Sequence, residues 1–403
     1  MSNYGRCRQG QHWINHNGDA LKTLAKIEDN SIDAVFTDPP YGLGFMEKTW
    51  DGELPSSEVW REMLRVCKPG AMLLAFGGTK TFHRHACRIE DAGWEVRDCL
   101  MWLYGEGMPH GQNISKAIDK KFGAKRKVVG TKRNPHRGVA ADHRYGFSSP
   151  DKPVEITVPA TPEAALWDGY CTGLKPAWEP ILVAMKPVDG TFATNALAWG
   201  CGGLNIDACR IGTNGGTTRS HQAPYPRNPD GREDRSQCWA RSGHQAEPLD
   251  KGRYPANVMM DEEAAEFLDR QNPTSKSCRS VRRKAGSNVG NGTTMHPFKS
   301  RRLCFEGYED KGGPSRFFYC PKASRGERKG NPHPIVKPLR LCQYLARLIL
   351  PPAGFRKLLV PYSGSGSEML AALQVGWDYV VGIEREADYI AIAKKRLTFP
   401  DAA

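Results

Sequence analysis

The stretch KLLVPYSGSGSEMLAALQVGWDYVVGIE, residues 357–384, decides the fold of this chain. It predicts a strand, a loop with two glycines, a helix over Ser367–Leu373 and a second strand, Tyr379–Ile383, that ends in Glu384. A glycine loop between a strand and a helix lets a ligand approach the backbone N–H groups at the helix N-terminus. Glu384 follows Gly366 by eighteen positions, a spacing that suits a carboxylate accepting both hydroxyls of a ribose. The pattern leaves nicotinamide, flavin and S-adenosylmethionine open as ligands.

Strand and helix patterns alternate at both ends of the chain. Trp13–His16 and Ala34–Thr37 predict strands, and Ser56–Cys67 predicts a helix. Ala71–Phe76 is a continuous apolar run, as expected of a strand buried on both faces. Ile181–Met185 predicts a further strand, which we assign to the same sheet. The alternation predicts one parallel, doubly wound α/β sheet built from both ends of the chain.

The tetrapeptide Asp38-Pro39-Pro40-Tyr41 follows the second predicted strand, at the end where α/β folds place ligands. An aromatic amino group is a poor nucleophile because its lone pair is delocalised into the ring. The Asp38 carboxylate and the Pro39 carbonyl, held by the stiff prolines, can each accept one of its hydrogens, and Tyr41 can stack on a base. With the glycine loop, this motif favours S-adenosylmethionine and methylation of an amino group on a flipped base. A strand-end turn with a helix-capping Asp38 is the purely structural alternative.

The charge of the chain points to a polyanionic partner. The 403 residues carry a formal net charge of +13. Residues 116–152 contain eleven Lys or Arg against three Asp or Glu, and residues 274–302 contain eight basic residues and no acidic ones. Such runs are often only solvated loops, but inside an ordered α/β chain they favour a surface for double-stranded DNA.

Composition also narrows the class of protein. The sequence has no apolar run of 18 residues and no apolar segment after its first residues, so we expect a cytoplasmic protein without a membrane span. None of the twelve cysteines forms a CxxC pair, so we expect reduced thiols and no structural metal.

The motifs together resemble the beta class of amino-methylating DNA methyltransferases, which act on adenine N6 or cytosine N4, and especially the solitary, phage-associated type. In that class the catalytic motif precedes the cofactor motif, with target recognition between them, and this chain has the same order. The resemblance implies a circularly permuted, Rossmann-like class I methyltransferase sheet with an inserted DNA target-recognition region. It also implies S-adenosyl-L-methionine as the cofactor, double-stranded DNA as the partner, and a homodimer.

Three further segments carry the resemblance. Asn17-Gly18-Asp19 resembles the segment that holds the cofactor adenine, and residues 178–187 resemble the strand that lines the base pocket. Residues 333–338 resemble the segment that closes over the methionine part, where Lys337 is a natural partner for a carboxylate. The predicted catalytic residues are Asp38, Pro39, Pro40 and Tyr41. The predicted cofactor-binding residues are Asp19, Asp38, His333, Lys337, Pro361, Ser363, Gly364, Ser365, Gly366, Ser367 and Glu384.

One residue departs from the family pattern. The family loop usually begins Asp-Pro-Phe, whereas this chain has Val360-Pro361-Tyr362. The missing acid would contact the methionine amino group. Asp38 can take that role, so we expect altered cofactor affinity rather than lost activity.

The target base and the activity are left with alternatives. Adenine N6 is expected because the catalytic motif begins with Asp38 rather than Ser, and cytosine N4 is the alternative. Val360 keeps open a DNA-binding relative with impaired catalysis. A nicotinamide oxidoreductase gives no reason for the basic middle of the chain.

The motifs divide the chain into four parts. Residues 1–110, with 178–190, are assigned to the catalytic part of the methyltransferase domain, and 331–403 to its S-adenosylmethionine-binding part. Residues 111–177 are assigned to a basic insertion and 191–330 to the target-recognition region.

Overall fold

The computed structural model describes residues 2–6, 11–43, 52–105, 111–132, 154–212, 252–276, 311–321 and 337–398. The chain divides into two compact units. The larger unit comprises Met1–Pro39, Pro55–Leu103 and Glu179–Ala403, and the smaller unit comprises Pro40–Leu54 and Tyr104–Trp178.

A nine-stranded, mostly parallel sheet forms the core of the larger unit within the described residues. The strands of the chain are β1 Ser2–Arg6, β2 His12–Asn17, β3 Ile32–Thr37, β4 Cys67–Phe76, β5 Glu95–Leu103, β6 Lys127–Lys132, β7 Val154–Val158, β8 Trp178–Met185, β9 Val258–Met260, β10 Ser275–Lys276, β11 Lys311–Gly312, β12 Lys357–Pro361 and β13 Tyr379–Glu384. The sheet has the order β1-β2-β13-β12-β3-β4-β8-β5-β9. Strands β2, β13, β12, β3 and β4 run parallel, while β1 and β8 are antiparallel to their neighbours β2 and β4. The predicted α/β class is confirmed.

The order of the strands also confirms that both ends of the chain build the sheet. The C-terminal strands β12 and β13 lie between β2 and β3, which come from the first forty residues. The interpretation of this order as a circular permutation stays a prediction.

Helices connect most of these strands. They are α1 Ala20–Leu24, α2 Ser57–Val66, α3 Phe82–Asp91, α4 Ile114–Lys121, α5 Pro162–Leu166, α6 Phe192–Trp199, α7 Glu262–Gln271, α8 Leu339–Leu348, α9 Ser367–Val375 and α10 Ala387–Thr398. Two short 3-10 turns lie at Asp207–Cys209 and Pro314–Phe317.

The central strands are buried because their sequences are apolar on both faces. All six residues of β3 are buried, as is the run from Gly70 to Phe76 in β4. Trp13 in β2 and Trp60 in α2 are fully buried and are among the largest side chains of the core. This core fixes the carboxyl ends of the strands, where the site lies.

Two features of the larger unit differ from the sequence interpretation. The predicted helix Ser56–Cys67 and the predicted strand Ala71–Phe76 leave residues 68–70 between them, but β4 begins at Cys67 and includes these residues. Pairing explains this, because the Gly70 N–H donates to the Lys186 carbonyl at 3.0 Å. Strands β1, β5 and β9 were not predicted, and β9 lies within the segment assigned to target recognition. The role of residues 191–330 in recognition stays a prediction.

The smaller unit is organised around a buried carboxylate. The β6–β7 hairpin joins α4 and α5, and Asp119 of α4 is only 1% exposed. Its Oδ2 accepts a hydrogen bond of 2.6 Å from Arg126 and one of 3.0 Å from the Ala160 N–H. Its Oδ1 accepts from both the N–H and the hydroxyl of Thr161, at 3.1 and 2.8 Å. One side chain therefore links both helices to the hairpin.

Within the described ranges, no helix combines the length and the apolar character needed to cross a membrane.

Candidate active site

Three features predicted from the sequence meet at one edge of the sheet. Asp38 follows β3, the glycine loop follows β12, and Glu384 ends β13. These strands are parallel neighbours, so their carboxyl ends lie side by side. The Thr37 hydroxyl secures this edge by donating a hydrogen bond of 2.8 Å to the Pro361 carbonyl.

The glycine loop turns sharply between β12 and α9. Tyr362, Gly364 and Gly366 have φ angles of 57°, 50° and 80°. A positive φ is strained for tyrosine, which carries a Cβ, and such strain concentrates at ligand sites. A Cβ placed on Gly366 would lie 2.9 Å from the Cβ of Ala393, so both the angle and the close approach require glycine.

Hydrogen bonds join the loop to the end of β13. The Ser363 N–H donates to the Ile383 carbonyl at 3.0 Å. Glu384 accepts the Gly364 N–H on Oε2 and the Glu386 N–H on Oε1, both at 2.8 Å. Burial raises the pKa of Glu384 in spite of these donors. Each carboxylate oxygen has more than one lone pair, so Glu384 can still accept hydrogen bonding from a ligand.

Asp19 stands beside the same loop. The N–H of the preceding residue, Gly18, donates to the Glu384 carbonyl at 2.9 Å. Asp19 itself caps α1 and accepts the Lys22 N–H at 3.1 Å. Burial raises the pKa of Tyr362, and the charge of Asp19 raises it further, which places the two side chains near each other.

Lys337 is the central cation of the site. Its side chain is 2% exposed, and its Nζ lies 3.2 Å from Asp38 Oδ2 and 3.1 Å from Glu179 Oε2. The same Nζ lies 4.8 Å from the centre of the Phe76 ring. Burial by itself lowers the pKa of Lys337, but the two carboxylates raise it by more, so the group stays an ammonium. Lys337 therefore holds Asp38 and Glu179 together.

Glu179 was not singled out from the sequence. Burial raises its pKa, the Asp38 carboxylate raises it further, and Lys337 opposes both effects. A signal was present in the sequence, because Glu179 is an acid at the start of a strand whose following residues are apolar. A charged residue there needs a buried partner.

Arg396 and Glu368 are two further charged residues that the sequence analysis missed. From α10, Arg396 Nη1 donates to the carbonyl and hydroxyl of Ser365, at 2.7 and 3.0 Å, and to the hydroxyl of Ser367 at 3.0 Å. Glu368 is 5% exposed in the first turn of α9. It stands out in the sequence as the only charged residue of this helix.

The remaining predicted residues are placed less fully. Pro39 is buried next to Asp38 in the larger unit, whereas Pro40 and Tyr41 belong to the smaller unit. His333 lies outside the described residues. In the described part of the chain, no three His, Cys, Asp or Glu side chains come together in a way that could hold a metal ion.

The glycine loop after β12, the acid at the end of β13 and the Asp-Pro-Pro motif after β3 meet at one edge of a mostly parallel α/β sheet, where such folds bind ligands. The family model described as DNA methylase matches residues 32–395. This chain belongs to that family, the DNA amino-methyltransferases of adenine N6 or cytosine N4.

Curated relatives match parts of the chain. It is 34% identical over 109 residues to the type II methyltransferase M.HpaI of Haemophilus parainfluenzae, covering 25% of this chain and 35% of the relative. It is 24% identical over 147 residues to the type II methyltransferase M.HindIII of Haemophilus influenzae, covering 26% of this chain and 48% of the relative. The aligned stretches thus span between a third and a half of these relatives.

Solved structures are similar over a larger share of the chain. The complex of M1.HpyAVI with SAM covers 95% of this chain and 98% of that chain, at 13% identity and a TM-score of 0.37. The PvuII DNA methyltransferase, described as cytosine-N4-specific, covers 97% and 88%, at 11% identity and a TM-score of 0.42.

Proposed function

We propose that this chain transfers a methyl group from S-adenosyl-L-methionine to the N6 amino group of adenine in double-stranded DNA, with the base flipped out of the helix. The observation that carries the proposal is the position of Asp38. It is paired with the buried Lys337 at the sheet edge that also bears the glycine loop and Glu384. Membership of the DNA methylase family supports it.

Asp38 performs the central task in this proposal. Its carboxylate accepts a hydrogen bond from the target amino group, as does the carbonyl of Pro39, so that the nitrogen lone pair is released from the ring. Lys337 fixes the carboxylate through the ion pair at 3.2 Å, and Tyr41 stacks on the flipped base. Asp38, already hydrogen-bonded to the amino group, would take the surplus proton of the methylated nitrogen and pass it to solvent.

The cofactor would lie along the glycine loop. Bound there, S-adenosylmethionine supplies a methyl group made electrophilic by its sulfonium. Glu384, a carboxylate at the end of β13, suits the ribose hydroxyls, and Asp19 suits the adenine end because it lies beside Tyr362. The strained backbone at Tyr362 and the N–H groups before α9 suit the methionine end. His333 and the serines of the loop remain proposed contacts.

The finer assignments rest on the sequence. The order of the motifs supports the beta class, and the solitary, phage-associated type rests on the resemblance alone. A homodimer and a cytoplasmic location are proposed on the same ground. The net charge of +13 supports double-stranded DNA as the partner.

Methyl transfer to DNA tests the proposal and its alternatives together. Purified protein is incubated with methyl-labelled S-adenosylmethionine and mixed-sequence duplex DNA, and the DNA is then digested to nucleosides. We expect label in N6-methyl-2′-deoxyadenosine. Label in N4-methyl-2′-deoxycytidine would correct the target base. DNA binding without transfer would point to the impaired relative that Val360 keeps open, and loss of both would overturn the proposal.

A further inference from the structure

Glu368 is a buried carboxylate next to the proposed cofactor site that the mechanism above does not use. It lies directly after the glycine loop, in the first turn of α9, and is 5% exposed. Among the described residues, no cation lies within ion-pairing distance of its carboxylate. Its own backbone N–H donates to this carboxylate. A buried carboxylate without a cation beside it is still costly, so its position calls for a cationic partner that the described side chains do not supply.

The charges around Glu368 come from several elements. Asp38 after β3 is close enough to repel it, and Lys337 before α8 and Arg396 of α10 are close enough to attract it. Cys342 of α8 also faces it, and burial raises the pKa of that thiol. Burial, followed by repulsion from Asp38, raises the pKa of Glu368 to about 7, and the two cations compensate only in part.

Both neighbouring cations are engaged elsewhere. Lys337 is shared between Asp38 and Glu179, and Arg396 donates to Ser365 and Ser367. The loop itself, residues 360–367, reads VPYSGSGS and offers no acid that could take over the role of Glu368. The described part of the site thus has one carboxylate in excess, and it lies in the first turn of α9, directly after the glycine loop.

We propose that Glu368 binds the α-ammonium group of the methionine part of S-adenosylmethionine. The inference rests on the function proposed above and names a residue for one end of the cofactor. S-adenosylmethionine has two cationic groups, but only the ammonium has N–H donors for a charge-assisted hydrogen bond. The sulfonium must face the target base, whereas Glu368 lies in the first turn of α9, directly after the loop.

Three ligands separate the parts of the cofactor in a binding experiment. S-adenosylmethionine carries both cations, S-adenosylhomocysteine carries only the ammonium, and 5′-methylthioadenosine carries neither. Calorimetry at pH 7.4 compares wild type with Glu368→Gln. We expect the variant to bind the first two about ten- to a hundredfold more weakly, as for a lost charge-assisted contact, and to bind the third like wild type. Glu262→Gln, an exposed first-turn glutamate of α7, is the matched control and should change none of them.

The pH dependence gives a second readout that needs no variant to fold. Glu368 must be ionised to pair with the ammonium, so affinity is present above its pKa and is lost as the pH falls through 7. The α-amino group of the ligand loses its proton near pH 8, so affinity also falls on that side. For wild type we expect binding of S-adenosylmethionine to be about fivefold weaker at pH 6 than at pH 7.4, from these two pKa values. The Glu368→Gln variant should lack this loss. Binding of 5′-methylthioadenosine controls for titration of Glu384.

The outcomes distinguish this inference from the proposed function. Weaker binding of S-adenosylmethionine alone would assign Glu368 to the sulfonium and overturn the inference. Unchanged affinities, with methyl transfer intact, would overturn it and leave the methyltransferase standing. A wild-type protein that binds none of the three ligands would overturn both.

Discussion

At the scale of single residues, the site pairs one buried cation with two carboxylates. One ammonium, that of Lys337, holds two carboxylates in a place that excludes most water. Such an arrangement is stable only while the cation is present, because two bare carboxylates would repel each other in a poorly solvated site. Asp38, the proposed catalytic residue, is therefore oriented by Lys337, which also contacts Glu179 and the ring of Phe76.

The first prediction concerns Asp38. Asp38→Ala removes the acceptor for the target amino hydrogen, and we expect single-turnover methyl transfer to fall by two to three orders of magnitude, about 3–4 kcal/mol. DNA affinity, measured on the same preparation, should persist because phosphate contacts dominate it. Asp91→Ala, at the exposed end of α3, is the control. Wild-type turnover in Asp38→Ala would show that this motif is not the active site.

The second prediction concerns Lys337. Lys337→Met leaves Asp38 and Glu179 facing each other without a cation, and we expect the free energy of unfolding to drop by about 3–5 kcal/mol, the usual effect of breaking a buried ion pair. Urea denaturation measures this. Adding Glu179→Gln removes one of the two charges, so the double variant should recover part of the stability. A double variant less stable than Lys337→Met alone would contradict the arrangement.

The proposed catalytic and cofactor-binding residues could be predicted from the sequence, but the residues that support them could not. Asp38 and Glu384 follow recognisable strands, and a strand end is a defined place in a parallel sheet. Glu368 and Glu179 have the same residue type as many solvated glutamates, and only the packing of α9 and β8 buries them. The sequence predicted a carboxylate partner for Lys337 but did not say which, and the structure joins it to two carboxylates of the protein, Asp38 and Glu179. Contacts between side chains that are far apart in the sequence cannot be predicted from the local pattern of residues.

At the scale of secondary-structure elements, the glycine loop joins β12 to α9 through residues with positive φ angles. Gly366 is both the N-cap of α9 and the point of contact with α10, through Ala393. At the other end of the same helix, Gly376 has a φ of 107° but no atom within 4 Å of the position of a Cβ. The two glycines therefore share a positive φ, which would strain any other residue, and differ in steric contact.

This difference gives the third prediction. Gly366→Ala and Gly376→Ala should both lower the free energy of unfolding, by about 1–3 kcal/mol from the strained φ. Only Gly366→Ala should also weaken binding of S-adenosylmethionine, because the new methyl group pushes the loop away from α10. Thermal denaturation and calorimetry on both variants provide the measurements. Equal cofactor affinities in the two variants would show that the loop does not hold the ligand.

Elements with a strong pattern were predictable and those with a weak one were not. The apolar runs of β3, β4 and β12 predicted buried strands, and the structure has them within a few residues. Strand β5 has the sequence EVRDCLMWL, in which polar residues occupy the first half, and β9 has only three residues. Their place in the sheet depends on pairing with each other and with β8, which local sequence does not specify.

At the scale of the whole molecule, we connect the positive charge of the chain with the smaller unit, whose exposed lysines suit DNA binding. The exposed lysines of α4 and of the turn into β6 are Lys116, Lys120, Lys121, Lys125 and Lys127. The only acid within this stretch, Asp119, is buried and paired with Arg126. Burial opposes its ionisation, but the hydrogen bonds from Ala160 and Thr161, together with Arg126, lower the pKa of Asp119. The surface is left basic, as a phosphate-binding surface requires.

The fourth prediction tests this unit as a DNA-binding element. Asp119→Asn and Asp168→Asn each remove one negative charge, so both raise the net charge by one unit. Only Asp119→Asn disrupts the links between α4, the hairpin and α5. We expect Asp119→Asn to weaken DNA binding and to reduce the slope of log K against log salt, and Asp168→Asn to preserve both. For wild type, about six phosphate contacts would give a slope near −5. A slope near zero in wild type, or equal DNA binding by the two variants, would show that the smaller unit does not contact DNA.

The place of β12 and β13 in the middle of the sheet has a consequence for synthesis on the ribosome. Some 320 residues are translated between the end of β3 and the start of β12, which takes tens of seconds at about 5–20 residues per second. During that interval β2 and β3 have no strand between them, and an apolar edge stays open to chaperones or to neighbouring nascent chains. The glycine loop arrives with the same late segment. A chain interrupted before residue 357 would lack both the middle of its sheet and its cofactor loop, so no shortened product could modify the DNA of the cell that makes it.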